Sequence, residues 1–186
     1  LDGPGWTAYV VNMTSQSWLT SADWDFAPRD DGSRAGASPV WWHYLAIIVP
    51  HNYGEKAPAS WGGLWITGGS NTDSAPKVSD EDMMVAGAFA TGSGVIMGAL
   101  FQVPDEHIIF TSDPLQQSRT EDAIIAFTWD HFVTKPNGTS EPEWLLRLPM
   151  TKAAVRAMDT IEAWVEQDPQ GAVREKLLSS SSGGGG

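Results

Sequence analysis

A glycine-rich turn in the first half of the chain has the residue types of an anion-binding loop. It is Gly68-Gly69-Ser70-Asn71, and it directly follows the apolar stretch 63–67. Glycines let the backbone turn sharply and bring amide N–H groups close to a ligand. Gly69, Ser70 and Asn71 are therefore candidates for holding a negatively charged oxygen. The alternative is an ordinary turn that ends a strand.

The remaining reactive side chains do not form a catalytic or metal-binding pattern. The chain has no cysteine, and its four histidines lack metal-type spacing such as His-Glu-x-x-His. His43 lies in an apolar run and His131 on the apolar side of a helical pattern, so both are predicted to be core residues. Neither a phosphate-binding loop nor a Gly-x-Ser-x-Gly motif occurs. The residues alone therefore predict no catalytic set, no metal site and no cofactor.

Composition excludes several classes of partner. The 186 residues include 11 Lys+Arg and 23 Asp+Glu, for a formal net charge of −12 at pH 7. This balance disfavours nucleic acids and anionic lipid surfaces, because both attract clustered cations. No apolar run approaches the roughly 20 residues of a membrane-spanning helix. The sequence predicts one acidic globular domain.

Tryptophan is concentrated near the beginning of the chain. Seven of the ten Trp precede residue 66. Exposed Trp side chains stack on sugar rings, so a carbohydrate-binding module is one interpretation of this pattern. The other is that these side chains form a core or an interface.

The ends of the chain and two short motifs bear on processing. The chain starts at Leu1 with no visible signal peptide, and residues 179–186 are four Ser followed by four Gly. We expect a folded domain over residues 1–178 and a flexible tail over 179–186. Asn12-Met13-Thr14 and Asn137-Gly138-Thr139 are acceptor triplets that permit N-glycosylation of Asn12 and Asn137 in a secreted protein.

The hydrophobic pattern predicts several strands. They lie at residues 9–13, 41–49, 63–67, 95–101 and 108–110, and residues 23–39 are predicted to be a loop. The simplest arrangement pairs the strand at 41–49 with the strand at 63–67 through the connection at 51–60. The run at 95–101 is apolar throughout, as is typical of a strand buried on both faces.

Three helices are predicted among these strands. Capping boxes at Ser79–Asp82 and Ser118–Glu121 predict helices that run to about residue 91 and about residue 133. A third helix is predicted to begin near Pro149. Its apolar stripe is Met150, Ala154, Met158, Ile161 and Val165. Strands that alternate with helices indicate an α/β layered fold.

Several segments together resemble the PhoPQ-activated pathogenicity-related family, which includes autocrine proliferation repressor proteins. The most specific segment is Trp144-Leu145-Leu146-Arg147-Leu148-Pro149-Met150-Thr151-Lys152-Ala153, which runs on to residues 156–160. The other resembling segments lie at residues 12–19, 41–45, 65–71 and 121–129, in the family's order and spacing. Together they cover most of residues 6–167, and the resemblance is to the amino-terminal half of the family's pattern.

The resemblance implies an incomplete α/β-hydrolase-like layered sheet with flanking helices. Family members continue past the third helix into a strand and a serine-containing turn that resembles a nucleophile elbow, followed by the acid and the histidine. None of the three is present here, so the resemblance implies a truncated, catalytically inactive chain. Gly69, Ser70 and Asn71 would form the oxyanion-side loop. The resemblance also implies secretion, and an open edge of the incomplete sheet would favour self-association.

Three functional hypotheses remain open at this point. The first is a truncated, inactive member of this hydrolase-like family. The second is a secreted signalling protein that resembles the proliferation repressors and acts without catalysis. The third is a carbohydrate-binding module built on the Trp-rich first half of the chain.

Overall fold

A five-stranded mixed sheet forms the centre of the protein. The computed structural model describes residues 1–34, 36–136 and 138–167. The strands of this sheet are β1 (Asp2–Gly3), β2 (Trp6–Ser17), β4 (Val40–Pro50), β5 (Gly62–Ile66) and β6 (Ile96–Leu100), in the spatial order β1-β2-β4-β6-β5. The predicted mixed α/β architecture is confirmed. The predicted tail and residues 168–178 lie outside the described residues.

The order of the strands corrects one expectation from the sequence. β4 does not pair with β5, because β6 lies between them: β4 and β6 are antiparallel, whereas β5 and β6 are parallel. Parallel strands need a crossover connection, and helix α1 (Glu81–Ser93) supplies it between β5 and β6. β6 is almost wholly buried, as the apolar run at 95–101 predicts.

A second, two-stranded sheet lies beside the first. β3 (Trp24–Phe26) pairs antiparallel with β7 (Ile108–Phe110). The predicted loop over residues 23–39 is therefore wrong at β3. This strand is only three residues long and is surrounded by Asp, Arg, Gly and Pro, so its pairing with β7 produces it rather than any local pattern.

The two faces of the central sheet are covered by different helices. Alternate residues of β4 point to opposite faces. Ala46 and Ile48 pack with α1, whereas Leu45 and Ile47 pack with helix α3 (Arg147–Gln167). Helix α2 (Glu121–Thr134) packs through Ile124 and Phe127 on an aromatic cluster around the small sheet. That cluster contains Trp18, Trp24, Phe26, Trp41, Ile108, Phe110, Trp144 and Leu146.

The helix boundaries differ from the predicted ones in detail. α1 and α2 begin after Asp80 and Thr120, but neither residue makes a side-chain cap hydrogen bond, so the predicted capping boxes do not form. The Asp80 carboxylate instead accepts a hydrogen bond from the Lys77 amide at 2.8 Å. Two short 3₁₀ helices (Gly138–Ser140 and Pro142–Trp144) precede α3.

Helix α3 buries part of the predicted stripe, because Met150, Ile161 and Val165 pack on the core while remaining partly exposed. It begins at Arg147, two residues before Pro149, and its fully buried side chains after the first turn are Ala153 and Ala157. Met158, predicted to face the core, is 51% exposed. The small side chains of Ala153 and Ala157 let the helix approach the sheet closely. A pattern based on large apolar residues does not predict this contact. None of the helices within the described part of the chain is long and apolar enough to cross a lipid bilayer.

Candidate functional site

The predicted glycine-rich turn lies at the carboxyl end of β5, beside the segment that leaves β6. The amide of Thr67 donates to the carbonyl of Leu100 at 2.9 Å, and the amide of Gln102 donates to the carbonyl of Gly68 at 3.0 Å. The turn then meets the segment leading to β7 through a bridge between Ser70 and Glu106. Carboxyl ends of parallel strands are where open α/β sheets bind ligands.

The amides of the turn fall into two groups. Ser70 N donates to Asp73 Oδ2 at 2.7 Å, and Asn71 N donates to the carbonyl of Glu106. No acceptor among the described residues engages the amides of Gly68 and Gly69. Of the three predicted residues, Gly69 is thus the one whose N–H is available to a ligand oxygen.

Glycine is required at position 69 for its backbone conformation. Its φ is +124°, in a region that side chains disfavour, and a Cβ there would lie 3.1 Å from Asp73 Oδ2. Gly68 is different, because a Cβ there would meet nothing within 4 Å. The backbone of the turn therefore stands open to solvent at Gly68.

Gln102 holds the turn in place, and nothing in the sequence pointed to it. Its side chain is 1% exposed, and its Nε2 donates to the carbonyl of Ser70 at 2.9 Å. Its Oε1 accepts from the amide of Tyr44 at 3.1 Å, which ties the turn to β4. Gln102 has a φ of +63°, so it leaves β6 in a left-handed conformation. A single glutamine in no known motif gives no sequence signal.

Ser70, Asn71 and His107 form the outer side of the turn. Ser70 Oγ lies 3.4 Å from His107 Nδ1, and it also lies 2.7 Å from Thr72 Oγ1. Asn71 is 1% exposed, and its Nδ2 donates to the carbonyl of His107 at 3.3 Å. No carboxylate within residues 1–34, 36–136 and 138–167 bonds to the second ring nitrogen of His107, so Ser70 and His107 lack the third member of a triad.

Two open clefts flank the turn. One, of about 500 Å³, lies between the turn and the loop at 27–31 and is lined by Asn71, His107 and Ser118. The other, of about 510 Å³, is lined by Gly68, Gly69 and the carboxylates of Asp73 and Asp82. A ligand that contacts the free glycine amides would occupy the second cleft.

Two buried titratable groups lie behind the turn. Burial raises the pKa of Asp105 to about 8, although its carboxylate accepts a hydrogen bond from the amide of Trp42 at 2.9 Å. Burial lowers the pKa of His43 to about 4. At neutral pH the His43 ring is therefore uncharged, and the Asp105 carboxyl is mainly protonated.

The predicted core position of His43 is confirmed, whereas His131 is only partly buried. His43 is fully buried, with Ser15 Oγ at 2.9 Å from Nε2 and the carbonyl of Gln102 at 2.9 Å from Nδ1. The His131 ring stacks on Trp144 with centroids 3.7 Å apart, and its Nε2 lies 2.8 Å from Glu141 Oε2. Across the described segments, no three His, Asp or Glu side chains are grouped so that they could hold a metal ion.

One of the two predicted acceptor asparagines lies within the described residues. Asn12 is exposed in the middle of β2, so its side chain is accessible. Asn137 lies outside the described residues.

Comparison with known proteins identifies the family to which this mixed α/β chain belongs. The model of the family described as PhoPQ-activated pathogenicity-related protein matches residues 2–183, and the chain belongs to that family. It is 35% identical over 158 residues to autocrine proliferation repressor protein A of Dictyostelium discoideum. The match covers 84% of this chain and 27% of the relative, so the chain spans about a quarter of that protein's length. No solved structure is significantly similar to the chain.

Proposed function

We propose that this chain forms the amino-terminal part of an α/β-hydrolase-like domain and does not catalyse hydrolysis by itself. In this proposal the turn at Gly68–Asn71 is the oxyanion-side loop, and the amide of Gly69 is its donor. The observation that carries the proposal is the position of this turn between β5 and α1, with two glycine amides free of acceptors within the described residues. α/β-hydrolases take one oxyanion donor from a strand-to-helix loop of this kind.

The placement of the helices supports an incomplete sheet. α1 covers one face of the sheet and α3 covers the other. Connections between parallel strands are right-handed, so a parallel strand that followed α3 would join the sheet at the β5 edge rather than at the β1 edge. The glycine turn would then lie between the carboxyl ends of β6 and the added strand, where a nucleophile turn could face it.

The proposed inactivity follows from the groups that are missing from this sequence. The chain contains no Gly-x-Ser-x-Gly motif. Loss of a single triad member typically reduces the rate by several orders of magnitude. Ser70 and His107 do not substitute for a triad, because their 3.4 Å contact lacks an orienting carboxylate within the described residues.

Hydrolysis of p-nitrophenyl esters tests this proposal. The expected rate with the purified chain equals that of the buffer blank and that of the Ser70→Ala variant. A wild-type rate above the blank that disappears in Ser70→Ala would show that Ser70 is a working nucleophile, and the proposal would be wrong. Ser118→Ala is a matched control, because it removes a hydroxyl from the neighbouring cleft without touching the turn.

A second candidate function is extracellular signalling without catalysis. It is favoured by the name of the relative, an autocrine proliferation repressor, and by the 35% identity to it. We propose on this basis that the protein is secreted and slows the growth of the cells that produce it. Purified protein added to growing cells is expected to lower their division rate. An unchanged rate at every concentration would contradict the signalling proposal and leave the first one intact.

N-glycosylation of the two Asn-x-Thr triplets tests the proposed secretion separately. Expression through a eukaryotic secretory pathway is expected to attach a glycan at Asn12, because that side chain is exposed. Endoglycosidase treatment should then increase the mobility of the wild type on a gel. Asn12→Gln and Asn137→Gln assign the shift to one triplet, and a wild type with no shift would contradict glycosylation at both.

The burial of most of the early tryptophans argues against the carbohydrate-binding hypothesis. Trp6, Trp18, Trp24 and Trp41 are each at most 4% exposed. Of the seven early tryptophans, Trp61 is exposed, whereas Trp42 and Trp65 are partly buried. A single exposed ring does not make the stacking platform that the hypothesis needs.

A further inference from the structure

The free edge of β5 is an uncharged strand beside an apolar groove. Among the described residues β5 is hydrogen-bonded to β6 alone, so its other edge is unpaired. The strand Gly62-Gly63-Leu64-Trp65-Ile66 contains no charge and no proline, the two devices that commonly protect an edge. Trp61 and Ile66 are 65% and 48% exposed.

The direction of the unpaired backbone groups follows from the pairing with β6. Thr67 donates its amide to Leu100 of β6, and peptide groups alternate along a strand. Gly62, Leu64 and Ile66 therefore present their N–H and C=O groups to the free edge. These three residues are symmetric about Leu64.

We infer that this edge pairs with the same edge of a second copy of the chain. An antiparallel pair centred on Leu64 places Leu64 opposite its counterpart and Gly62 opposite Ile66. Each outward N–H and C=O group of one copy then has a hydrogen-bond partner on the other copy. Residue 62 pairs with residue 66 and residue 66 with residue 62, as a two-fold interface requires. The result is a continuous ten-stranded sheet.

The side chains on both faces of this pair are complementary in size. On the α3 face, Ile66 of one copy lies opposite Gly62 of the other. On the α1 face, the same symmetry places Trp65 opposite Gly63. A glycine opposite Ile66 and opposite Trp65 leaves room for these side chains, and the two Leu64 side chains pack against each other across the two-fold axis.

The groove beside Gly62 receives the partner's isoleucine. It has a volume of about 470 Å³, and Leu64, Ile161 and Val165 form part of its apolar lining. Leu64 and Ile161 pack on the α3 face of the sheet, the same face to which residues 62, 64 and 66 point. Ile66 of the second copy thus enters an apolar groove and is removed from water.

The negative charge of the chain makes the proposed dimer depend on ionic strength. Each chain has a formal net charge of −12, and Glu162 and Glu166 lie at the groove. Two copies repel each other at long range, although the paired strands themselves are uncharged. Added salt screens this repulsion, so the dimer is expected to strengthen as ionic strength rises.

Sedimentation equilibrium at low and high salt, over a dilution series, tests the inference. A monomer–dimer equilibrium is expected, shifted towards dimer at high salt. Ile66→Glu should weaken the dimer by at least roughly tenfold, because it brings a carboxylate to the acidic groove. Val155→Glu is the control: it adds the same charge to another exposed apolar residue and should leave the equilibrium unchanged.

Cross-linking gives a second, independent readout. The chain has no cysteine, so Leu64→Cys introduces a single thiol at the proposed two-fold axis. Directly opposed residues in a hydrogen-bonded pair have Cα atoms about 5.5 Å apart, within disulfide range. Mild oxidation should convert this variant to a covalent dimer, whereas Val155→Cys should form no disulfide-linked dimer.

The outcomes that overturn the inference are distinct. A monomer at every concentration and salt level would show that the edge does not accept a second copy. A dimer that Ile66→Glu does not weaken, or a Leu64→Cys variant that stays uncross-linked, would place the interface elsewhere. Circular dichroism of each variant confirms that a change in association does not arise from unfolding.

Discussion

Asp105 and His43 form a buried polar layer that supports the candidate site without being part of it. His43 contacts the carbonyl of Gln102, and the Gln102 side chain in turn holds the glycine turn. Asp105 is fully buried, and its Oδ1 has no hydrogen-bond partner among the described residues. A buried carboxyl without a cation beside it is stable only in its neutral form. The fold therefore depends on the protonation state of both residues.

The pKa values of these two groups predict how stability depends on pH. Burial raises the pKa of folded Asp105 to about 8, so its contribution to stability is full below an unfolded pKa near 4 and is lost as pH rises towards 8. Burial lowers the pKa of folded His43 to about 4, so its contribution is full above about 6.5 and is lost as pH falls towards 4. At mildly acidic pH the two groups change the free energy of unfolding in opposite directions as pH rises. Between about pH 6.5 and 8, only Asp105 changes it.

The substitution Asp105→Asn removes the titratable carboxyl group and so measures its contribution to the pH dependence of stability. We expect the free energy of unfolding of the wild type to fall by about 1–2 kcal/mol between pH 6.5 and 8, while that of the variant stays level. The variant should also be the more stable protein at pH 8, because the amide of Asn can still accept a hydrogen bond from Trp42. Urea denaturation at several pH values measures both effects. Parallel curves for the two proteins would contradict the shifted pKa of Asp105.

The residues of the candidate site differ in how far the sequence reveals them. The glycine turn is visible because glycines and a polar pair directly follow an apolar strand. Gln102 and Asp105 are not visible, because their roles depend on contacts with β4, about sixty positions away in the chain. His43 is predictable as a core residue, but its partner Ser15 is not.

Among the secondary-structure elements, α1 packs closely against the sheet at Gly87. A Cβ at Gly87 would lie 2.1 Å from the Nε1 atom of Trp6, so the helix approaches β2 more closely than any side chain permits. Trp6 is 1% exposed beneath it. The contact holds α1 against the sheet.

Two alanine substitutions in the same helix test this packing. Gly87→Ala should destabilise the protein by about 1–3 kcal/mol, because the added methyl group overpacks the contact with Trp6. Gly92→Ala should raise stability by about 0.5–1 kcal/mol, since nothing lies near a Cβ there and alanine favours a helix. Thermal unfolding compares the two. Equal effects would show that α1 does not pack closely at Gly87.

The elements themselves are easier to predict than their pairing. The strands at β2, β4, β5, β6 and β7 and all three helices follow from local apolar patterns. The position of β6 between β4 and β5 does not, because it results from a crossover through α1 that no local pattern records. β3 escapes prediction for the same reason, since three residues acquire strand geometry only by pairing with β7.

The described part of the molecule is a sheet with helices on both faces and β1 and β5 at its two edges. Helices α1 and α3 pack on opposite faces of the sheet, and within residues 1–34, 36–136 and 138–167 the outer edge of β5 has no paired strand. We propose that a nucleophile strand of the longer family pattern would join at that side, and that this chain can pair there with a second copy. If the chain lacks catalysis as proposed, it contains the glycine turn but no reactive serine.

Labelling with a fluorophosphonate serine probe, read by intact mass, tests this requirement most directly. We expect no adduct on the folded chain under conditions in which an active serine hydrolase is fully labelled. The Gly69→Ala variant should likewise remain unlabelled, because there is no reactive serine for the turn to assist. A single stoichiometric adduct on the wild type, at Ser70 or at any other serine, would contradict the proposed inactivity.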